Sequence, residues 1–186
     1  ATAESTLTCN VGLLSDADDD AVSAKIEWFI NDVGTGIETD TLDGSLFARA
    51  DAVFCNVTPF DGAEDGEPVA AAPVVIENAV PELISVSISP SEAFTDTLLA
   101  VTATAVDADI DALDFHYDWF VNGVSTGATD DTLSGAVHFD RGDEVHVVVI
   151  ADDGLTPSLP MTADAVSISN TAPSMPSISI SPIEPA

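Results

Sequence analysis

The sequence predicts an all-β protein built from short strands, and three observations lead to this class. Small polar and β-branched residues alternate at 85–89 and again at 177–181, which is the pattern of a half-buried strand. Stretches rich in valine, isoleucine, threonine and aromatic residues are separated by Asp, Gly, Pro and Ser at about the 8–12 residue spacing of a β-sandwich. No stretch carries a helical period.

One unit of sequence occurs twice. In both copies an aspartate-rich loop precedes a strand that carries a tryptophan, and Trp28 and Trp119 lie 91 positions apart. Later in the unit the offset becomes 92, so that Asn78 matches Asn170. The repeat predicts a sandwich over 1–80 that lacks its first strand, a complete sandwich over 81–173, and over 174–186 the first strand of a third repeat or a donor strand for the next unit.

The charge of the chain excludes several partners. There are 33 acidic residues against three basic ones, for a net charge of −30. Nucleic acid is not expected as a partner because a phosphate backbone requires a basic face, and an anionic membrane surface is disfavoured for the same reason. Compaction of such a chain requires bound cations or high salt. The apolar fraction of 46% argues against a disordered acidic tail.

Membrane insertion is not expected within this segment. No apolar run reaches the roughly 18 residues of a membrane-spanning helix, and the first residues do not read as a signal peptide. Any export signal or anchor is therefore expected outside this segment.

The order of cysteine and tryptophan sharpens the fold class. Cys9 and Cys55 flank Trp28, and this order resembles the immunoglobulin fold, in which a disulfide joins two facing sheets and a tryptophan packs on it. The resemblance implies tandem immunoglobulin-like β-sandwich domains with Cys9 bonded to Cys55; a free buried pair is the alternative. The second copy has Ala100 and Val147 at the matching places, so it closes without a bridge. A disulfide indicates an oxidising compartment outside the cytoplasm.

Four further motifs recur in both copies: Asp-Ala-Asp-x-Asp before the tryptophan strand, Trp-Phe-x-Asn within and after it, Asp-Gly between the last two strands, and Asn-x-x-Pro at the junction. With them the whole chain resembles the tandem immunoglobulin-like or cadherin-like repeats of large bacterial surface or extracellular filament proteins. In cadherin-like repeats, acidic loops and a linker asparagine hold calcium where domains meet. The implied ligands are Asp107, Asp109, Asp111, Asp152, Asp153 and Asn78 for one site, and Asp16, Asp18, Asp20 and Asp61 for the other.

The chemistry of these residues independently favours calcium. Calcium takes six to eight oxygen ligands from a flexible loop, whereas magnesium keeps more of its waters. In a sandwich of this strand order, the loop before the tryptophan strand and the last inter-strand loop lie at one end, beside the incoming linker. The alternative is a solvated acidic loop whose aspartates stabilise a turn through Asx hydrogen bonds.

The first copy lacks a strand at one sheet edge, and an open edge invites strand pairing. A free strand is predicted near the other end of the chain, with Ile178 and Ile180 as inward anchors. Its residues are Ser177, Ile178, Ser179, Ile180 and Ser181. It is expected to fill the gap in a following unit, either within one long polypeptide or between separate subunits.

The function predicted from the sequence is structural. We expect a repeat of a calcium-stiffened stalk or filament at the cell surface or outside the cell, whose partners are identical or similar repeats arranged head to tail. The alternative is an adhesin module that binds carbohydrate or protein through its loops. An enzyme is not expected, because no serine or cysteine nucleophile has a plausible base partner.

Other motifs carry less weight. Arg141-Gly142-Asp143 spells a cell-binding tripeptide, but the other copy has Arg49-Ala50-Asp51 at this place, which favours an ordinary turn. The three histidines have no counterparts in the first copy and are expected at exposed strand positions.

Overall fold

The computed structural model describes residues 1–181, and nearly all of its regular structure is β-strand. The first repeat contains seven strands and one short 3-10 turn. They are β1 (Leu7–Thr8), β2 (Ser23–Ile30), β3 (Val33–Gly34), β4 (Thr41–Leu42), the turn Gly44–Leu46, β5 (Ala52–Phe60), β6 (Val69–Ala70) and β7 (Val74–Val75).

The second repeat contains nine strands and one turn of α-helix. They are β8 (Glu82–Ser89), β9 (Ala93–Phe94), β10 (Leu98–Val106), β11 (Asp114–Val121), β12 (Val124–Ser125), β13 (Thr132–Ser134), α1 (Gly135–His138), β14 (Glu144–Asp152), β15 (Met161–Thr162) and β16 (Val166–Ser169). The predicted all-β class of immunoglobulin-like sandwiches is confirmed.

The two repeats differ at one sheet edge. In the second repeat, one sheet has the order β13-β10-β8 and the other the order β12-β11-β14-β16-β9. In the first repeat, the sheet β3-β2-β5-β6 faces a sheet of two strands only, β1 and β4. Within the described residues, β1 therefore has no neighbour on the edge where β10 pairs with β8. The paired β10 is nine residues long, whereas β1 is two residues long.

Strand pairing corrects one detail of the sequence alignment. Leu7 pairs with Leu42, and Leu99 pairs with Leu133, so Leu7 and Leu99 are counterparts. The counterpart of Cys9 is therefore Val101 and not Ala100. The offset between the repeats is 91 at the aspartates but 92 at this strand. The first repeat has one more residue between the strand and the aspartate loop, and the offset of 91 therefore misplaces the match to Cys9.

Alternation along the strands builds each core. In β14, Val145, Val147, Val149 and Ala151 are all fully buried, and the residues between them are partly exposed. Trp119 is fully buried, and its indole Nε1 donates to the backbone oxygen of Asp130 at 2.9 Å. The core of the first repeat comprises Cys9, Trp28, Leu42, Phe47, Val53, Cys55 and Ile76.

Cys9 and Cys55 form the disulfide that the sequence predicts. Cys9 directly follows β1, and Cys55 lies in β5, so the bond joins the two sheets of the first repeat. Both sulfurs lie in the core beside Trp28, which is the arrangement implied by the immunoglobulin resemblance.

The contacts of the chain define two compact units. One contains residues 1–84, 105–115 and 151–159; the other contains 85–104, 116–150 and, within the described residues, 160–181. Two loops of the second sequence repeat, at 105–115 and 151–159, thus belong to the same unit as the first repeat and the linker.

We expect Gly44→Ala to destabilise the protein by about 1–3 kcal/mol, because overpacking forces the backbone to move. A Cβ at Gly44 would collide with the backbone oxygens of Ala3 and Ser5, and a Cβ at its counterpart Gly135 would lie 2.5 Å from the oxygen of Thr95. Denaturant unfolding measures the loss. Gly12→Ala is the matched control, because a Cβ there meets nothing within 4 Å. Equal stability of the two variants would contradict the packing argument.

Candidate metal site

The aspartate loop of the second repeat, between β10 and β11, is a tight turn. Asp107 Oδ1 accepts hydrogen bonds from the backbone N–H groups of Asp109, at 2.9 Å, and Asp111, at 3.3 Å. Ile110 adopts a left-handed conformation with φ of 63°, which is unusual for a β-branched residue. Asp19 takes φ of 61° at the matching place in the first repeat. The turn therefore holds alternate aspartates on one side.

Three carboxylates converge in this turn. Asp107, Asp109 and Asp111 each offer an oxygen, and these oxygens lie within 4.8 Å of one another. Among residues 1–181, this is the one group of three or more His, Cys, Asp or Glu side chains with that geometry. Asp107 Oδ2 and Asp109 Oδ1 are buried and accept no hydrogen bond. Buried carboxylate oxygens normally have a partner, so these two fit a hard cation.

The linker between the repeats contacts the same loop. The backbone N–H of Ala79 donates to Asp109 Oδ2 at 2.7 Å. The side-chain amide of Asn78 donates to Asp153 Oδ2 at 2.7 Å and to the backbone oxygen of Ala79 at 2.7 Å. The structure thus places the predicted residues Asn78, Asp109 and Asp153 in one hydrogen-bonded network.

Asp152 is the last residue of β14, and Asp153 begins the loop after it. Neither belongs to the group of three carboxylates in the aspartate loop. Asp153 Oδ1 accepts from the N–H groups of Leu155 and Thr156, and Asp152 Oδ1 accepts from Gly154 at 2.8 Å. The Asn78 side chain, followed by the backbone of Thr156, lowers the pKa of Asp153. Its carboxylate therefore stays charged to lower pH than an ordinary aspartate.

Arg49 is the residue that sequence reasoning missed. Its Nη1 donates to Asp111 Oδ2 at 2.7 Å and to Asn78 Oδ1 at 2.8 Å, and its Nη2 reaches Asp111 Oδ1 at 3.2 Å. This bidentate contact fixes the aspartate loop against the linker. The signal was present in the sequence, because the second repeat carries Arg141 at the offset of 92 that relates Asn78 to Asn170.

The aspartates of the first repeat do not form a cluster like that of Asp107, Asp109 and Asp111 within the described residues. Asp16 Oδ1 accepts from the N–H of Asp18 at 2.7 Å, as in the second repeat. Asp16 and Asp61 line one hollow of about 290 Å³, whereas Asp18 and Asp20 are exposed. The N–H groups of Glu64 and Ala63 lower the pKa of Asp61.

The Arg141-Gly142-Asp143 tripeptide lies in a turn that is tied internally. Asp143 accepts from the Asn122 amide and the backbone N–H of Asp140, each at 2.7 Å. The hydrogen bond from Asp140, and then that from Asn122, lowers the pKa of Asp143. The carboxylate is therefore engaged in holding the turn.

The predicted free strand has no regular secondary structure in the described residues. Ser177, Ile178, Ser179, Ile180 and Ser181 are all exposed. Ile178 is 89% exposed and Ile180 is 100% exposed. Residues 182–186, which complete the predicted third-repeat segment 174–186, lie outside the described residues.

Across the described residues, no helix has the length and apolar character needed to span a bilayer.

Together, the fold and the acidic loops define a class: tandem immunoglobulin-like sandwich domains with acidic loops. No protein-family model matches the chain, and no curated protein matches it. Solved structures do align with it. The fibronectin(III)-like modules of Clostridium thermocellum CbhA are 21% identical, with 78% of each chain covered and a TM-score of 0.32.

Two other solved structures are similar in kind. A two fibronectin type-III domain segment from chicken tenascin is 12% identical, with 82% of this chain and 87% of that chain covered and a TM-score of 0.38. Three N-terminal domains of the highly immunogenic outer capsid protein of bacteriophage RB49 are 20% identical, with 89% of this chain and 53% of that chain covered and a TM-score of 0.33. At these TM-scores the likenesses support no inference about ligand or partner.

Proposed function

We propose that the chain is a structural repeat of an extracellular stalk or filament, assembled head to tail and stiffened by calcium at the loop 107–111. The observation that carries the proposal is the pair of buried, unpartnered oxygens on Asp107 and Asp109 within a cluster of three carboxylates. The disulfide Cys9–Cys55 supports an oxidising location outside the cytoplasm.

Calcium would act on the linker through contacts the loop already makes. Asp107, Asp109 and Asp111 would hold the ion, and Asp109 also accepts the backbone N–H of Ala79 in the linker. Binding would neutralise mutual repulsion among carboxylates that a single guanidinium, Arg49, offsets only in part. An ordered loop then restrains the linker, which is the property a stalk requires.

We expect chelation of calcium to lower the melting temperature of the protein. Calcium at 100 times its Kd would add about 2.7 kcal/mol of stability, which corresponds to about 5–10 °C for a chain of this size. Differential scanning calorimetry at low salt, with chelator and then with added calcium, measures the shift. Magnesium at the same concentration should produce a smaller one.

Asp109→Asn should remove most of the calcium-dependent shift, because the amide keeps the size of the side chain but loses the charge. Asp18→Asn is the matched control at the same place in the first repeat, where the carboxylate is exposed. A melting temperature that does not respond to chelator would reject the calcium proposal, and equal effects of the two variants would reject the assignment to the second loop.

A further inference from the structure

Three residues of the first repeat and the linker that contact acidic loops of the second repeat have exposed counterparts. Arg49, Asn78 and Ala79 correspond to Arg141, Asn170 and Thr171. Arg141 Nη1 donates to Asn170 Oδ1 at 3.4 Å, and Asn170 Nδ2 donates to the oxygen of Thr171 at 3.1 Å, as in the first set. The exposed set therefore has the same internal arrangement but contacts no aspartate loop in the described residues.

The aspartates that would complete this contact are also in the chain. Asp111, Asp109 and Asp153 accept from Arg49, Ala79 and Asn78, and their counterparts in the first repeat are Asp20, Asp18 and Asp61. Asp18 and Asp20 are exposed. The chain thus carries both halves of an interface that it forms once internally.

A second, independent observation concerns apolar side chains. Leu83, Val86 and Ile88 of β8 have Met175, Ile178 and Ile180 as counterparts at an offset of 92. Leu83 is 6% exposed, whereas Met175 is 96% exposed. In β8, Leu83 is buried and Val86 and Ile88 are partly buried, whereas their counterparts in 174–181 are all exposed.

The first repeat offers a place for such a strand. Residues 9–14 follow β1 without strand structure, although β10 continues as a strand to Val106 where it pairs with β8. Beside them lies a groove of about 430 Å³ whose lining includes Val11, Leu13, Val57 and Val69. Leu13 is 99% exposed. The groove is mainly apolar and adjoins an unpaired sheet edge.

We propose that residues 170–181 bind the first repeat of a second copy of this chain, and this inference rests on the proposed head-to-tail function. Residues 177–181 add a strand along 9–14. Asp20 then accepts from the Arg141 guanidinium, Asp18 from the backbone N–H of Thr171, and Asp61 from the Asn170 amide. The spacing allows both contacts together, because Ser177 lies seven positions after Asn170 just as Ser85 lies seven positions after Asn78. Such an interface joins unlike surfaces and is open-ended.

Sedimentation velocity of the purified chain tests the proposal. The expected result is assembly that grows with concentration from about 10 µM to about 1 mM, the range of moderate to weak association. Ile178→Asp with Ile180→Asp should abolish it by removing the donor, and Asp18→Lys with Asp20→Lys should abolish it by removing the acceptor. Mixed in equal amounts, these two variants should form a dimer and stop there, because each retains one intact half.

Arg141→Ala should weaken assembly at least tenfold, because it removes the guanidinium that pairs with Asp20. A labelled peptide of residues 170–181 provides a direct measurement. It should bind the donor-deficient chain saturably and lose binding when Ile178 and Ile180 are replaced by aspartate.

A wild-type chain that stays monomeric to about 1 mM, or a peptide that does not bind, would overturn the inference. Calcium-dependent melting of that same monomer would leave the metal site of the proposed function standing. The converse result is a chain that assembles equally with and without chelator and whose melting temperature does not change with calcium. That result would support the interface and reject the metal site.

Discussion

Trp119→Ala is expected to lower the free energy of unfolding by about 3–5 kcal/mol, the range for deleting a large buried side chain. Trp119 is fully buried, and its indole N–H satisfies the backbone oxygen of Asp130. The substitution leaves a cavity and an unpartnered carbonyl together. At about 2–4 °C per kcal/mol for a chain of this size, the melting temperature of the protein should fall by about 6–20 °C.

Amide hydrogen exchange followed by peptide mass spectrometry locates the loss. Protection should fall in β11 and β14, while β2 and β5 of the first repeat should keep theirs. Trp119→Phe should cost less, because it retains most of the apolar volume and loses the N–H donor. Trp28→Ala is the reciprocal control and should act on β2 and β5. A loss below about 1 kcal/mol for Trp119→Ala would contradict the cavity argument.

Removal of the disulfide is expected to cost the first repeat about 2–4 kcal/mol, since the bond closes a loop across 46 sequence positions and restricts the unfolded chain. The second repeat should be insensitive, because Val101 and Val147 occupy the corresponding places. Treatment with reductant, and Cys9→Ala with Cys55→Ala, should each lower protection from exchange in β2 and β5.

The second repeat serves as the internal control for that experiment. Its strands β11 and β14 should exchange at the same rate with and without reductant. If both repeats lost protection equally, or if neither did, the bond would not act locally on the first core. Alkylation of two free thiols in the untreated native protein would contradict the disulfide itself.

The balance of charge connects these predictions to the proposed role. A net charge of −30 disfavours a compact chain at low salt. Arg49 and Arg141 are two of the three basic residues, and both lie beside an asparagine at the end of a repeat. The position of two of the few positive charges at the ends of the repeats is consistent with docking of acidic loops there. Contacts between these charges depend on ionic strength.

Much of the fold follows from the sequence alone, because the signals are local or repeated. Alternation in 144–151 requires one buried face, and the repeat of Trp28 at Trp119 requires the same sandwich twice. The disulfide was implied by a resemblance to the immunoglobulin fold, which rests on two cysteines that flank a tryptophan strand. The aspartate spacing likewise predicted that Asp107, Asp109 and Asp111 share one turn, since an Asx turn depends on neighbours in sequence.

Tertiary structure decided what depends on distant residues. The sequence did not predict that Arg49 contacts Asp111 across 62 positions, because the matching Arg141 marks the position as repeated but does not indicate which residue it contacts. The sequence comparison misplaced the counterpart of Cys9 by one residue. The two repeats differ by one residue between this strand and the aspartate loop, and only the pairing of the strands shows where that difference lies. The sequence predicted a missing strand but not that 9–14 would lose strand structure along with it. A strand needs a partner for its backbone hydrogen bonds, and that partner is supplied only by the folded neighbour.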